Sequence, residues 1–484
     1  MRTILILLLS LCSASIAAQE SQYEQMKQSL DEHSLPLVNM IVDIGKVNKN
    51  TFVPGEIEIA DFQRRTDPSS LTVRYACKYR LRGRTALAKR KKSYAVKLFD
   101  ETGEDLDANI FGIRKENSWI LDAMAIDRIR MRNRICFDVW NEINRTPYDT
   151  KYDNRNGTKG VFVEVFINGS YQGLYCMTDK IDRKLLGLKK IKIDESGQIT
   201  VRGLLYKGYN YNAGFDLRSY VTAPTNRDKW NAWELHYPED YPSFETWLPL
   251  MNLIDFCSDK TSDETFIDEY LSYFYLGNLV DFVVFTMALY VRDLPYHNTY
   301  ISVVDIRQDH RYLITPWDMD TSLGQNYDGS YNESLADFHK YDDRAPFNRL
   351  SVQNIDGFND LLAAKWKEYS ETLFSCDSIA RRLDHYAEQF TVSGAWERER
   401  TKWNGNPVPL KESVYDELEY VKDWYAKNYE NLCNQYGSNA IDIIHSDESH
   451  SSRSGIYTLD GRRVDGNTLQ KGIYIVNGKK VMVR

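Results

Sequence analysis

The first part of the chain alternates apolar and polar residues at the two-residue spacing of β-strands. Three such runs, separated by Asn, Gly, Pro and Asp, lie at 38–44, 71–81 and 93–99. Two more runs flank Asn168-Gly169, the preferred two-residue turn of a β-hairpin. Residues 126–144 instead place apolar side chains on one face at helical spacing. We therefore predict a β-rich N-terminal lobe with one helix over residues 35–185.

Helical spacing dominates the second part of the chain. Residues 243–290 and 357–435 repeat apolar positions every three to four residues, whereas 195–245 is rich in Gly, Tyr and Asn and predicts strands and loops. A mostly helical C-terminal lobe is therefore predicted over residues 186–437.

The two ends of the chain differ from this body. Residues 438–454 form a polar, Ser-rich linker, and 455–484 contain two short hairpin patterns with Asp-Gly and Asn-Gly turns. A unit this small buries little on its own, so we interpret it as an appended β module. The predicted class is α+β, with two lobes and a small C-terminal β module.

Residues 1–18 predict a secretory signal peptide. A basic start precedes a short apolar run, and small residues lead to cleavage near Ala17 or Ala18. Lipidation of Cys12 is a weaker alternative because Leu11 fits that signal poorly. No later segment reaches the ~18 apolar residues of a spanning helix. The predicted location is periplasmic, cell-surface or extracellular, without a transmembrane helix.

Composition narrows the classes of partner. The chain has 484 residues, 42% hydrophobic residues and a net charge of −8, which predicts a globular protein and argues against a nucleic-acid partner. Six cysteines follow the signal, at positions 77, 136, 176, 257, 376 and 433, without Cys-x-x-Cys spacing. Zinc is therefore not supported, while disulfides and buried free thiols both remain open.

Candidate chemistry lies in two segments after the helical run that ends at 290. Asp293 and Asn298 have the five-residue spacing of the protein-kinase catalytic loop, in which Asp orients the attacking hydroxyl and Asn holds magnesium. Pro316-Trp317-Asp318-Met319-Asp320 then brings two carboxylates to a strand-to-turn junction. This order predicts phosphoryl transfer, with Asp293 catalytic and Asn298, Asp318 and Asp320 as magnesium ligands.

Phosphate-binding candidates lie in the N-terminal part. Lys97, in Tyr94-Ala95-Val96-Lys97, resembles the lysine-bearing strand of kinases, and Asp179 is a possible acidic partner for it. Arg82 and Arg84 begin a basic segment that could bind phosphates in place of a glycine-rich loop. His297 is more often structural than catalytic in such a setting.

These motifs together resemble the spore-coat CotH kinase family. The family pattern has Arg-Gly-x-Ser/Thr, Lys-Lys-Ser-Tyr-x-x-Lys-Leu, a Tyr-x-Gly-x-Tyr hairpin, an Asp…Asn-x-Tyr loop and Pro-Trp-Asp-x-Asp-x-x-x-Gly. Here these are Arg82 to Thr85, Lys91 to Leu98, Tyr171 to Asp182, Asp293 to Tyr300 and Pro316 to Gly324. Ala86 and Asp179 depart from the pattern without removing a carboxylate from the site.

The resemblance implies an atypical two-lobed, kinase-like fold that uses Mg²⁺ and ATP to phosphorylate Ser or Thr on secreted or surface proteins. It implies Asp293 as the catalytic Asp, Asp318 as the metal Asp and Lys97 as the ATP lysine. The C-terminal tail resembles export or sorting segments of secreted Bacteroidetes proteins. Two alternatives stay open: a non-catalytic surface or adhesion protein on a kinase-like scaffold, and an AMP transferase that uses the same site.

Overall fold

The alternating runs of the first part of the chain close into a barrel. The structure is a computed structural model that describes residues 20–209, 217–294, 297–337, 341 and 344–442, together with 456–458, 463–464, 472–476 and 479–483. The predicted signal peptide and most of the predicted linker lie outside these residues. The mixed α+β class is confirmed.

The first nine strands build this barrel and a small attached ladder. They are β1 (Leu37–Val42), β2 (Val53–Ala60), β3 (Thr72–Arg82), β4 (Ser93–Leu98), β5 (Ala108–Asn109), β6 (Lys115–Glu116), β7 (Ser118–Asp122), β8 (Gly160–Ile167) and β9 (Ser170–Thr178). The barrel order is β1-β2-β3-β4-β7-β9-β8, and a parallel β1–β8 pairing closes it. Its interior is filled by alternate apolar residues such as Val96, Trp119 and Leu121.

The predicted Asn-Gly hairpin is confirmed. Strands β8 and β9 pair from Gly160↔Thr178 to Ile167↔Ser170, and the turn residues Asn168 and Gly169 have φ values of 49° and 80°. Both central residues therefore adopt the left-handed conformation that such a turn requires.

The helix predicted over residues 126–144 is present, and it begins later than predicted. Helix α2 spans Arg132–Ile143, following α1 (Gln22–Gln28) near the start of the described chain. Arg130 has φ 57°, which interrupts helical geometry, and the Asp127 carboxylate accepts the backbone N–H of Arg132 at 2.7 Å. A capping carboxylate therefore starts the helix six residues after the beginning of the apolar pattern.

The predicted helical stretches are divided by polar caps and turns. The helices are α3 (Phe244–Cys257), α4 (Asp263–Tyr273), α5 (Leu276–Ala288), α6 (Phe347–Val352), α7 (Phe358–Ser370), α8 (Cys376–Val392), α9 (Ala395–Trp403) and α10 (Val414–Asp442). Ser243 and Ser262 cap α3 and α4 through their side chains, so the run predicted over 243–290 forms three helices. Within the described part of the chain, no helix is both long enough and apolar enough to cross a membrane.

A second sheet is built from strands that follow the barrel strands in the chain. After the short pair β10 (Lys192–Ile193) and β11 (Ile199–Thr200) come β12 (Leu204–Gly208), β13 (Lys229–Trp230), β14 (Trp233–Tyr237), β15 (Thr299–Val303) and β16 (Leu313–Pro316). Their order is β13-β14-β12-β15-β16. A large core unites residues of this sheet with α2, the helices and outward-facing barrel residues such as Ile120 and Phe162.

Four short strands follow near the C-terminus. They are β17 (Ile456–Thr458), β18 (Arg463–Val464), β19 (Gly472–Val476) and β20 (Lys479–Val483), paired antiparallel in the order β18-β17-β19-β20. Helix α10 continues to Asp442, into the stretch predicted as linker. The sorting role of the tail stays a prediction.

Candidate active site

The β15–β16 hairpin brings the two predicted chemical segments together. Thr299 pairs with Pro316, so Asn298 and Trp317 are adjacent where the two strands meet the loops. Asn298 and Asp318 both have left-handed backbones, with φ 61° and 55°. Asn and Asp tolerate this conformation better than other side chains, which explains sharp turns at both positions.

Asp318 and Asp320 form the centre of an acidic cluster. Although Asp318 reaches solvent, protein atoms surround it closely enough that lost hydration raises its pKa, and Asp122 and Asp293 add repulsion. Burial raises the pKa of Asp320 even more strongly, with Asp318, Asp122 and Asp293 contributing further repulsion. The two loops therefore crowd like charges at one end of the hairpin.

Asp122 is a member of this cluster that the motifs did not identify. It ends β7, and Asn133 Nδ2 of α2 donates to Asp122 Oδ2 at 3.3 Å. The Oδ1 atom of Asn133 accepts the backbone N–H of Met319 at 3.2 Å. Asn133 thus links the barrel carboxylate to the Asp318–Asp320 loop. The signal in the sequence was an apolar run, Trp119 to Leu121, that ends in Asp.

Lys207 of β12 is the second residue that sequence reasoning missed. It pairs with Tyr300 on β15, and its Nζ lies 5.6 Å from the Tyr300 ring centroid and 5.9 Å from that of Trp317. Burial lowers the pKa of Lys207, and the negative charge of Asp318 opposes that shift. Lys207 lies in a Gly- and Tyr-rich stretch with no motif, so only the sheet order places it here.

Arg82 and Arg84 reach the same cleft from the barrel. The Arg82 guanidinium lies 5.4 Å from the centroid of the Trp317 ring, and the pKa of Asp318 is held down in part by Arg82. Arg84 donates to the carbonyl of Tyr209, directly after β12. Arg82 and Lys207 therefore both lie beside the Trp317 ring, and the positive charges of Arg82 and Arg84 help to lower the pKa of Lys207.

His297 lies beside the predicted catalytic carboxylate. Its Nε2 is 3.6 Å from Asp293 Oδ2, and its backbone N–H donates to the Asp293 carbonyl at 3.1 Å. Burial lowers the pKa of His297, and Lys207 and Arg84 lower it further, against Asp318. These effects favour the neutral form of the imidazole beside Asp293.

The cleft continues as a pocket between the outer face of the barrel and α2. It is lined by Arg82, Ile120, Asp122, Met124, Asn133, Arg134, Phe137, Thr158, Cys176, Thr178 and Trp317. The cluster thus lies at the junction of three elements that are far apart in sequence.

A comparison with protein families decides what this arrangement is related to. The family model described as CotH kinase protein matches residues 79–432. The chain belongs to the CotH kinase family. No curated protein matches the chain. Membership indicates an atypical kinase-like function, and the match contains Asp122, Lys207, Asp293 and Asp318.

In this CotH family member, the lysine implied by resemblance lies apart from the cluster. Lys97 Nζ is 2.8 Å from Asp105 Oδ2, and Lys97 is four residues along β4 from Ser93, whose hydroxyl is 3.4 Å from Asp122. At ~3.3 Å per residue, that separation is about 13 Å along the strand. Lys207 rather than Lys97 is the lysine that the fold brings to Asp318.

Asp179 is also placed away from the CotH cleft surface. Its side chain is fully buried, with Oδ2 at 2.8 Å from Arg114 Nε and 3.1 Å from Arg155 Nη2. Oδ1 accepts the backbone N–H of Lys159 at 2.8 Å. Both carboxylate oxygens are occupied by protein donors, so the geometry supports a structural ion pair and gives no opening to a nucleotide.

A brace from α2 fixes the acidic loop of the CotH site. Arg132 donates through Nε to the Ser322 carbonyl at 3.1 Å and through Nη1 to Asp127 at 2.6 Å. The same Asp127 caps α2, so helix and loop share one buried ion pair. This brace holds the backbone just after Asp320.

The residues present fit magnesium when phosphate and water complete its shell. Within the described residues, no three Asp, Glu, His or Cys side chains converge as a metal-binding group. Mg²⁺ commonly takes only one or two carboxylates plus substrate phosphates and water. Asp318, whose pKa is raised by lost hydration and by neighbouring carboxylates, is a site that a cation would stabilise.

Proposed function

We propose that this CotH family member is a Mg²⁺- and ATP-dependent protein kinase that phosphorylates Ser or Thr on secreted or surface proteins. The observation that carries the proposal is the convergence of the two loops. The β15–β16 register sets Asn298 beside Trp317, the Arg292 backbone N–H donates to the Thr321 carbonyl at 3.1 Å, and the charge of Asp293 contributes to the raised pKa of Asp318. A kinase-like two-lobed arrangement, with residues 35–185 and 186–437 on either side of the cleft, is part of the same proposal.

We assign Asp293 the role of orienting the substrate hydroxyl that receives the phosphoryl group. A carboxylate there orients the hydroxyl and accepts its proton as the oxygen bonds to the γ-phosphorus and the bond to the leaving ADP breaks. His297 Nε2 lies beside this carboxylate, 3.6 Å from Asp293 Oδ2.

The remaining groups neutralise the negative charge of the ATP phosphates. Asp318 and Asn298 would hold Mg²⁺, with Asp320 as a further ligand, and the ion would neutralise phosphate charge. Lys207 and Arg82, whose charged groups lie 5.9 Å and 5.4 Å from the centroid of the Trp317 ring, would bind phosphate oxygens, assisted by Arg84, which donates to the Tyr209 carbonyl. This assignment gives Lys207 the role that resemblance gave to Lys97.

The crowded carboxylates also help to judge the two alternative functions, adhesion and AMP transfer. A purely adhesive protein gains nothing from holding Asp318 and Asp320 against their mutual repulsion, so this feature favours a catalytic site over an inert scaffold. AMP transfer uses the same residues, and the mass of the modified product distinguishes it from phosphorylation.

The first test is calorimetric titration with a non-hydrolysable ATP analogue, with and without Mg²⁺. We expect magnesium-dependent binding that Asp318→Ala abolishes and that Asp194→Ala, at an exposed turn, retains. Asp293→Asn should keep nucleotide binding and lose transfer to protein. Binding that is unaffected by Mg²⁺ and by Asp318→Ala would remove the proposed site. Export, which depends on the undescribed residues 1–18, stays a prediction tested by fractionating cells.

A further inference from the structure

A strongly basic stretch of the chain runs through β3, β4 and the loop between them. Residues 74–97 contain ten Lys or Arg and no Asp or Glu, although the whole chain has a net charge of −8. Concentrated positive charge on one segment of an acidic protein indicates a specific anionic partner more than it aids solubility.

Several of these cations have partners within the fold. Arg74 contacts Glu56 and Glu58, Lys97 contacts Asp105, and Lys91 is buried against Glu399. Lys92 donates to a backbone carbonyl of the same loop. Their positions are therefore explained by stability alone.

Lys78 and Arg80 are different. Among the residues that the structure describes, neither has a carboxylate partner, and both lie over the ring of Phe52, at 5.7 Å and 4.7 Å from its centroid. Lys78 is also directly opposite Lys97 across β3 and β4. Like charges directly opposite each other destabilise a sheet, and Asp105, among the described residues, forms an ion pair with Lys97 only. The Phe52 ring holds Lys78 and Arg80 without neutralising their charge.

These two residues continue a row that ends in the active site. Lys78, Arg80 and Arg82 occupy alternate positions of β3, on the face opposite to the buried Cys77 and Tyr79. Alternate residues of a strand are about 6.6–7 Å apart. The cationic row, Lys78–Arg80–Arg82, thus leads from the outside of the barrel to Trp317 in the cleft.

We propose that the cationic row binds an extended, acidic segment of the protein substrate, next to the Ser or Thr that is phosphorylated. The inference rests on the proposed function for the identity of that substrate. Side chains at alternate positions of an extended peptide repeat at the same ~6.6–7 Å, so Asp or Glu at every second residue matches the row. The end at Arg82 directs the neighbouring hydroxyl residue toward Asp293.

A single-stranded nucleic acid fits this surface less well. Such ligands need aromatic rings on which bases stack, and here Phe52 is covered by Lys78 and Arg80. An acidic peptide needs only the cations, which Phe52 holds in place.

The test measures peptide binding without relying on catalysis. A fluorescein-labelled peptide of alternating Glu and Gly with one Ser is titrated by anisotropy, with Lys78→Glu/Arg80→Glu as the variant. Lys190→Glu/Lys192→Glu, on exposed cations elsewhere, makes the same change in net charge. We expect at least about tenfold weaker peptide binding in the first variant and less than about twofold in the control, both measured at about 50 mM salt.

Three results would overturn the proposal: equal peptide affinity in both double variants, no binding by the unaltered protein at low salt, or tighter binding of oligouridylate than of the peptide. Both double variants should bind the ATP analogue as the unaltered protein does. Peptide binding without nucleotide binding would contradict the proposed kinase function while leaving the cationic row as an acidic-segment site.

Discussion

Two groups of charged side chains meet the outer face of the barrel, and they differ in how their charges are matched. In the buried group, Lys91 and Arg130 lie 2.6 Å and 2.8 Å from Glu399, and Arg114 lies 2.8 Å from Asp179. All of these side chains are fully enclosed. In the cleft group, Asp122, Asp293, Asp318 and Asp320 crowd carboxylates together beside only a few cations.

The charge-matched group is explained by stability, whereas the crowded carboxylates indicate a functional site. A buried charge is tolerated when an opposite charge and hydrogen bonds replace the water it loses, which describes Glu399 and Asp179. Like charges held close together cost stability, and such sites are kept where a cation or anionic ligand completes them. Both groups have the residue types of a kinase site, so residue type alone does not distinguish them.

The largest expected effect comes from breaking the buried group. Asp179→Ala leaves Arg114 and Arg155 without a shared carboxylate and should lower the free energy of unfolding by about 3–5 kcal/mol. Urea unfolding monitored by tryptophan fluorescence measures this. Asp318→Ala is the matched carboxylate deletion in the cleft, and a comparable loss there would contradict the distinction between the groups.

The second-largest expected effect concerns Asp281, a buried carboxylate whose hydrogen-bond partners are neutral. Burial raises the pKa of Asp281 from 3.8 to about 6, while Asn144 donates to Oδ2 at 2.9 Å and the Tyr369 hydroxyl to Oδ1 at 3.1 Å. The ionised form is disfavoured in the folded state, so the cost is absent below the unfolded pKa and complete above the folded one. Stability should therefore rise by about 2.4 kcal/mol as pH falls from about 7 to about 4, from this group alone.

The measurement is urea unfolding as a function of pH, compared with Asp281→Asn. The variant should lose this part of the slope between pH 4 and 6, whereas Asp240→Asn, at an exposed position, should retain it. An unchanged slope in Asp281→Asn would mean that its neutral partners satisfy the ionised carboxylate fully.

Local signals predicted the regular parts of the fold well. The Asn168-Gly169 hairpin follows from turn chemistry and from alternation, both of which involve only neighbouring residues. The start of α2 did not follow, because Asp127 caps the helix at Arg132 and interrupts a continuous apolar pattern. Caps of α3 and α4 divided a helical stretch in the same way.

The site was predictable where its residues are close in sequence. Asn298 and Asp318 lie in recognisable loops, and strand pairing alone brings those loops together. Lys207 was missed because only the β12–β15 pairing brings it to Tyr300. Lys97 has the right local pattern, yet its neighbours in the strand ladder give it Asp105 as a partner. Long-range pairing, which no local pattern encodes, thus decided which lysine reaches the cleft.

The third prediction compares these two lysines. Lys207→Met should weaken binding of the Mg²⁺–ATP analogue by about tenfold or more, since it removes the partly desolvated charge that we propose binds phosphate. Lys97→Met removes a partly exposed pair with Asp105 and should change affinity by less than about twofold. Calorimetry on both variants measures this, and the reverse order would return the ATP role to Lys97.

The smallest expected effect tests whether the ionised Asp318 carboxylate lowers or raises the stability of the fold. Lost hydration and neighbouring carboxylates raise the pKa of Asp318, so its ionised form costs stability at pH 7, where a neutral amide does not. Asp318→Asn should therefore increase the free energy of unfolding, by at most about 1 kcal/mol because solvent reaches this side chain and screens its charge. The same urea measurement at pH 7 without Mg²⁺ detects this, and Asp179→Asn should shift stability in the opposite direction. A loss of stability in Asp318→Asn would mean that Lys207 and Arg82 already neutralise Asp318, and that the cleft, like the buried group, is charge-matched before any ligand arrives.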